Sequence, residues 1–438
     1  MRRRLKYLKA LFIISFFCSL ITSCKKDEDI SDPSISFVSP IENQNYNVPN
    51  TIIIQAAITD DSKISSVNIN LVNENLIPVL NTISINPDAN SYDVNMNYPI
   101  SEISLTSGIY FIHIYAVDEF GNNKHKYQQI SINAVPKKLK FISLVNYINS
   151  TTITAIKIDS LNNISSLFTK SSDYSASESN SNSQQLIVAG KTYGDLIAFD
   201  LITNQYCWTE PVVSNPPFAY FTNVERIEEN IYVSFFDGDI RAYNSTGVQV
   251  HSVSPIPGIY PVKMIQFGSF LLVDYYLKTS QNNFKLALFT FSTSALAQQL
   301  QTTLQIVDFF KKDNNNVYVF GNNGGQAELK IYNVVNNSLS TLVNLPVGKM
   351  SSAVQIDATN FLIAHEQGVL LYQTTSNIWT NVIPINDVKK LRFEEIDSEI
   401  FIAEPHKLSK YSYPDFNLVN SINIADSILN IHLIYNKN

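Results

Sequence analysis

LIVAGKTYGDLIAFDLITN (Leu186 to Asn204) reads as a short apolar strand, a turn at Lys191 to Asp195, and a second strand carrying an aromatic residue. Two apolar runs of four to five residues around a glycine-containing turn are the pattern of a β-hairpin. The same unit recurs along the chain. Its first strands are FISLVNYI from Phe141, IYVSFFDG from Ile231, LLVDYYLK from Leu271, VYVFGNNGG from Val317, FLIAHEQG from Phe361 and IFIAEPHK from Ile400. Their partners are ITAIKID, IRAYNSTG, LALFTFST, LKIYNVVNN, LLYQTTSN and LSKYSYPD. Successive units start 45, 45, 40, 46, 44 and 39 residues apart.

A period of about 40 to 45 residues with several strands per unit predicts β-propeller blades, because one small sheet cannot cover its own apolar faces and must stack on neighbours. Seven units fit residues 139–438. A further strand precedes most hairpins, as in NVERIEE, VKMIQF, LQIVDFF, SAVQID and VKKLRFEE. The first unit lacks one, while the chain ends in ILNIHLIY. Ile428 to Tyr435 is therefore expected to supply the innermost strand of blade one and close the ring. An open array would leave two unpaired sheet edges. The polar tract Ser171 to Ser183, with SASESNSNS, is expected to be a mobile connection, with a short inner strand left undecided.

A boundary falls at Val135, Pro136, Lys137 and Lys138. Ahead of it, residues 34–135 alternate apolar and polar positions over Ile52 to Ile58, Ile64 to Val72, Ile109 to Ala116 and Tyr127 to Ile132, which predicts half-buried antiparallel strands. FVSP (Phe37 to Pro40), AAITDDSKISSVNI (Ala56 to Ile69) and LTSGIYFIHIYAVDEFGNN (Leu105 to Asn123) resemble a bacterial immunoglobulin-like domain. The resemblance implies a two-sheet sandwich serving as spacer or adhesion module. The expected fold class is thus all-β, an immunoglobulin-like sandwich followed by a seven-bladed β-propeller. Asp60, Asp61, Asp118, Glu119 and Asn122 could offer oxygens to calcium if their turns adjoin, but Asp and Asn beside Gly121 more often brace a turn.

The N-terminus carries Arg2, Arg3, Arg4, Lys6 and Lys9, then an apolar stretch from Ala10 to Ile21, then Leu20, Ile21, Thr22, Ser23, Cys24. The apolar stretch is short of the roughly 20 residues that span a bilayer. This segment resembles a bacterial lipoprotein signal with its lipobox. The resemblance implies removal of residues 1–23, acylation of Cys24, and a tether over residues 24–33. Two or three acyl chains would anchor the protein permanently in a membrane. Lys25, Lys26, Asp27, Glu28 and Asp29 resemble the charged tag that directs Bacteroidota-type lipoproteins to the outer face of the outer membrane. The expected location is the outer membrane, facing the cell surface.

The chain has 31 Lys plus Arg against 38 Asp plus Glu; the first 23 residues hold five bases and no acid, so the remainder has 26 against 38, a net charge of −12. An acidic chain is a poor partner for nucleic acid. Of three cysteines, Cys18 lies in the signal and Cys24 is the acylation site, which leaves Cys207 alone and excludes an intrachain disulfide in the mature protein.

YGDLIAFDLITNQYCW (Tyr193 to Trp208) resembles the repeat of quinoprotein propellers, and Trp379 takes a similar place in blade six. That family binds pyrroloquinoline quinone with calcium and uses a catalytic carboxylate, often with adjacent cysteines. This chain has no cysteine pair, and both tryptophans are expected to pack between blades; no cofactor is expected. His113, His125, His251, His365, His406 and His432 show no metal-ligand spacing. Asp274, Asp308, Asp357 and Glu394 are the carboxylates that an enzyme would use if they met in a funnel.

Loops on a rigid scaffold carry function, and the hairpin turns of every blade converge on one face. That face is expected to present Tyr193, Phe236, Asp237, Tyr275, Tyr276, Asn322, Asn323, His365, Glu366 and His406. Aromatics mixed with amides and carboxylates suit a protein or glycan partner. The expected function is a membrane-tethered, non-catalytic binding protein. The alternatives are a propeller enzyme, quinoprotein-like or polysaccharide-active, and a periplasm-facing assembly scaffold.

Overall fold

The computed structural model describes residues 30–101, 105–213 and 218–437, so Cys24 and the signal lie outside the described residues. The chain divides into two compact units, Met1–Pro136 and Lys137–Asn438. Among the described residues every regular element is a strand.

In the first unit the long strand Asn50–Asn73 belongs to both groups of strands. Its first half pairs with Ser34–Ser39 and Ala89–Ile100, and its second half with Ile83–Ile85 and Gly108–Asp118. The two alternating runs expected as separate strands are thus one strand, with its register broken between Thr59 and Ile64. Asn123–Asn133 and Gln44–Asn47 extend the second group. Ile52, Ile54 and Ile58 from the first half meet Ile64, Val67, Ile69, Ile112, Ile114 and Ile130 in one fully buried cluster. Alternation places these side chains inward and their polar neighbours outward, as a strand with two-residue periodicity requires.

The second unit is a propeller of seven four-stranded antiparallel sheets. Blade two runs outward through Ala176–Asn180, Gln185–Ala189, Leu196–Asp200 and Gln205–Glu210, and blades three to seven repeat the order. Blade one is composite: the last strand, Ser427–Tyr435, pairs antiparallel with Leu139–Asn149 and lies innermost, as the asymmetry of the repeats predicts. The seven innermost strands touch one another in a closed cycle, from Ala176–Asn180 round to Ser427–Tyr435 and back. Seven apolar clusters fill the seams, one between each pair of neighbouring blades. Each sheet is therefore covered on both faces, and blade one has its innermost strand like the other six.

The Ser171 to Ser183 tract is ordered, which corrects the expectation of a mobile connection. Ala176–Asn180 is the inner strand of blade two, in register with Gln185–Ala189. Asp173 fixes its entry: the carboxylate accepts backbone N–H groups of Lys191 at 2.8 Å, Thr192 at 2.7 Å, Gly194 at 3.1 Å and Tyr193 at 3.4 Å. The turn it holds is tight. A Cβ on Gly194 would lie 1.8 Å from Ser172 Oγ, so only glycine fits there.

Candidate functional site

Antiparallel order within each blade puts the turn between the second and third strands on the same end as the connection to the next blade. That end is the face on which the sequence places its binding residues. Tyr193, Asp237, Asn323, Glu366 and His406 are exposed there, and Phe236 and Tyr276 are partly so. Tyr193 reaches across to blade one, where its hydroxyl donates to Ser150 O at 3.1 Å.

Three of the expected residues are inside instead. Tyr275 is 0% exposed, Asn322 6% and His365 2%. Asn322 clamps the backbone of Met350 from both sides of its amide, at 2.8 and 2.9 Å. His365 accepts the Gln367 N–H at 3.1 Å and lies under Gly348, where any Cβ would strike its ring. These side chains lie within the strands, one to three residues before the turn, and are buried. His406 caps its own loop through Ala425 O at 3.2 Å, and no hydrogen bond or ion pair among the described residues joins it to His365.

Exposed Phe218 and half-buried Phe236, Tyr260 and Tyr276 form a continuous ladder over blades three and four. Phe218 stacks on Phe236 with ring centroids 5.0 Å apart, Phe236 meets Tyr260 at 4.8 Å, and Tyr260 meets Tyr276 at 5.7 Å. The Lys278 ammonium lies 5.2 Å from the Phe236 centroid and donates to Asp237 O at 3.1 Å, fixing the middle of the ladder. Phe218, Tyr260 and Lys278 were not singled out in the sequence. Phe218 sits on a blade connection and Tyr260 at a strand start, away from the hairpin motif that drew attention to the others, whereas Lys278 ends that motif in blade four.

Tyr260 is the second residue of the inner strand Ile259–Phe267, so the ladder ends beside the central channel. The channel holds a cavity of about 700 Å³ lined from all seven inner strands. Its middle is an ionic cluster: Lys263 Nζ lies 2.8 Å from Glu225 and 3.8 Å from Asp308. Burial alone would lower the Lys263 ammonium and raise the Glu225 carboxyl, but their mutual attraction outweighs it and shifts each the other way. Lys390 and Arg392 line the same wall. Burial, together with the nearby charges of Lys263 and Arg392, lowers the Lys390 ammonium to about 8. Glu178 faces them with its carboxyl raised by burial. The sequence did carry this signal: VERI, VKMI and KLRF each set charge in the middle of an apolar inner strand.

The candidate carboxylates do not assemble. Asp308 is in the channel, paired with Lys263. Asp274 and Glu394 are 0% exposed, and Asp357 accepts the N–H groups of Thr359 and Asn360 in an outer turn. Trp208 packs across a seam as expected, stacked on Tyr243 of the next blade at 5.6 Å. Trp379 is instead 38% exposed on an outermost strand. Cys207 is exposed, and desolvation pushes its thiol up, away from the thiolate a nucleophile needs.

In the first unit, the two acidic turns do adjoin, with Glu119 N donating to Lys63 O at 2.8 Å. Asp118 nevertheless braces its own turn, accepting from Phe120 N, Asn122 N and Asn122 Nδ2, each at 2.8 Å. Among the described residues no three His, Cys, Asp or Glu side chains gather as a metal site.

Residues 33–114 match the bacterial Ig domain family. The chain thus carries an immunoglobulin-like domain ahead of a seven-bladed propeller. No curated protein matches the sequence. Similar solved structures include the WD40 β-propeller domain of Doa1, at 9% identity over 60% of this chain and 86% of that one, with a TM-score of 0.47. The computationally designed Ika8 protein is similar at 10% identity over 73% of this chain and 95% of its own, with a TM-score of 0.42.

Proposed function

We propose that this chain is a lipoprotein held in the outer membrane through Cys24, in which the immunoglobulin-like domain acts as a spacer and the propeller binds a protein or glycan partner without catalysing a reaction. The observation that carries this reading is the ladder Phe218, Phe236, Tyr260, Tyr276. Four rings in mutual contact, with Phe218 47% exposed, form an apolar strip that water solvates poorly. Flanking Asp237 and Lys278 add the polar rim that a specific contact uses. The scattered positions of Asp274, Asp308, Asp357 and Glu394 favour binding over acid–base chemistry.

Two measurements test it separately. A Cys24→Ser variant should move the protein from the membrane to the soluble fraction, and continued membrane retention would remove the lipid tether. Pull-down from envelope extracts and a glycan array should return a ligand that Phe218→Ser with Phe236→Ser abolishes. A ligand captured equally by that variant would move the site elsewhere on the ring.

A further inference from the structure

The channel cations are unequally matched, and this does not depend on the surface ladder. Lys263 has two carboxylate partners. Among the described residues Arg392 hydrogen-bonds only neutral groups, Leu391 O at 3.1 Å and Asn430 Oδ1 at 3.3 Å, and the Glu178 carboxyl attracts it without a close ion pair. Lys390 makes no side-chain hydrogen bond or ion pair with any described residue. A cation drawn out of bulk water without a counter-ion is costly, and natural proteins keep one where something else completes it. Residues two apart on a strand share a face at a spacing of about 7 Å, which suits a carboxylate held between the two heads.

The rest of the wall defines what else such a ligand carries. Gln355 lines the cavity with its side-chain amide unengaged by any described residue, and Glu178, attracted by Arg392 without a close ion pair, lies 4.0 Å from His432 Nδ1. His432 is itself held neutral by burial and by Arg392 and Lys390. These are acceptors and donors for hydroxyl groups. Apolar contact comes from Val224, Val262 and Val354. The carboxylates of Glu225 and Asp308 stand nearby and would repel a dianion more than a monoanion.

We infer that the central channel is a binding site for a hydroxylated monocarboxylate, of the sugar-acid class, whose carboxylate is clamped by Lys390 and Arg392 and whose hydroxyls meet Glu178 and Gln355. At about 700 Å³ the cavity accommodates one or two sugar rings. The inner strands begin at the hairpin face, with Lys390 the first residue of its strand, so the clamp is reached from that side.

Isothermal titration of the full chain with D-glucuronate, D-glucose and inorganic phosphate tests the assignment. Glucuronate is expected to bind at least roughly tenfold more tightly than either of the others, and Lys390→Gln to weaken it by roughly tenfold or more. If Lys390→Gln does not fold, the wild type serves: raising the pH from about 7 to about 9.5 should weaken glucuronate similarly, since Lys390 discharges in that range while Lys263, raised by Glu225 and Asp308, and Glu225, lowered by Lys263, keep their charge. No heat with glucuronate at about 10 mM, or phosphate bound equally well, or binding indifferent to both Lys390→Gln and pH, would overturn the inference.

Discussion

His432 Nε2 lies 2.8 Å from Ser177 Oγ, although the two residues are 255 positions apart in sequence. Ser177 is also met by the Tyr174 hydroxyl at 2.9 Å and by Asn430 Nδ2 at 3.1 Å. Asn430 donates to Ser177 O as well, at 3.1 Å. The last strand of the chain is thus joined to the inner strand of blade two by polar bonds at the axis, in addition to its backbone ladder with blade one. Closure of the ring is a property of a few side chains in a buried place, where each lost bond leaves partners unsatisfied.

Ser177→Ala should therefore cost more than one exposed hydrogen bond. Removing the hydroxyl leaves the Tyr174 OH, an Asn430 N–H and a His432 nitrogen without that partner in a site where Ser177 is 4% exposed. The expected loss is about 1–3 kcal/mol of unfolding free energy in a urea titration. A change within error would mean that the strand is held by its backbone pairing alone.

Asp173 offers a second handle on the same blade. Burial would raise its carboxyl, but the backbone N–H groups of Lys191, Thr192 and Gly194 with the Thr192 side chain together outweigh it and hold the carboxyl below its usual range. An acid depressed in the folded state stabilises above its unfolded pKa and stops doing so as pH falls through the folded one. Asp173→Ala should cost about 2 kcal/mol at pH 7, and the gap between wild type and variant should narrow as pH falls below about 4. Denaturant titrations at the two pH values decide it; a gap independent of pH would assign the cost to packing.

The contrast between these two residues shows what was legible from sequence. The hairpins and the closing strand Ile428 to Tyr435 were legible because half-buried strands alternate, and alternation survives in a single sequence. Ala176–Asn180 was not, because its buried positions include the polar Ser177 and Asn180, which hydrogen bonds satisfy, so it has no apolar alternation to read. Tyr275, Asn322 and His365 were assigned to the surface because the sequence does not fix within one to three residues where each strand ends, and alternation decides inside from outside. The ladder was half visible, since Phe236 and Tyr276 lie in the repeat while Phe218 and Tyr260 come from connections that only folding brings beside them.

Asp274 should titrate abnormally and show it in stability. It is 0% exposed, and neither carboxyl oxygen has a partner. Burial raises it well above the usual carboxylate range despite the opposing charge of Lys263. The folded state then keeps a proton that the unfolded chain releases near pH 4, so wild-type stability declines as pH rises from about 4. Asp274→Asn preserves shape and removes that decline: near pH 4 the two proteins should melt together, and at pH 7 the variant should be more stable by about 1 kcal/mol or more. Parallel melting curves at both pH values would show that Asp274 is ionised in the fold.

Lys390 makes the opposite case with a base. Its ammonium is lowered to about 8 by burial and by Lys263 and Arg392, against the attraction of Asp308 and Glu225. Between about pH 8 and pH 10 the unfolded chain holds a proton that the folded protein has released, so stability rises with pH across that window. Below it, the fold carries the cost of an uncompensated charge. Lys390→Met replaces that charge with an apolar chain of similar length, and should raise unfolding free energy at pH 7 by about 1–3 kcal/mol while flattening the rise above pH 8. The same substitution removes the clamp on a carboxylate, so a variant that gains stability and loses glucuronate binding would show that the unmatched charge is retained for a ligand at the expense of the fold. A variant that loses stability at pH 7 would mean that Lys390 already has its counter-charge within the channel.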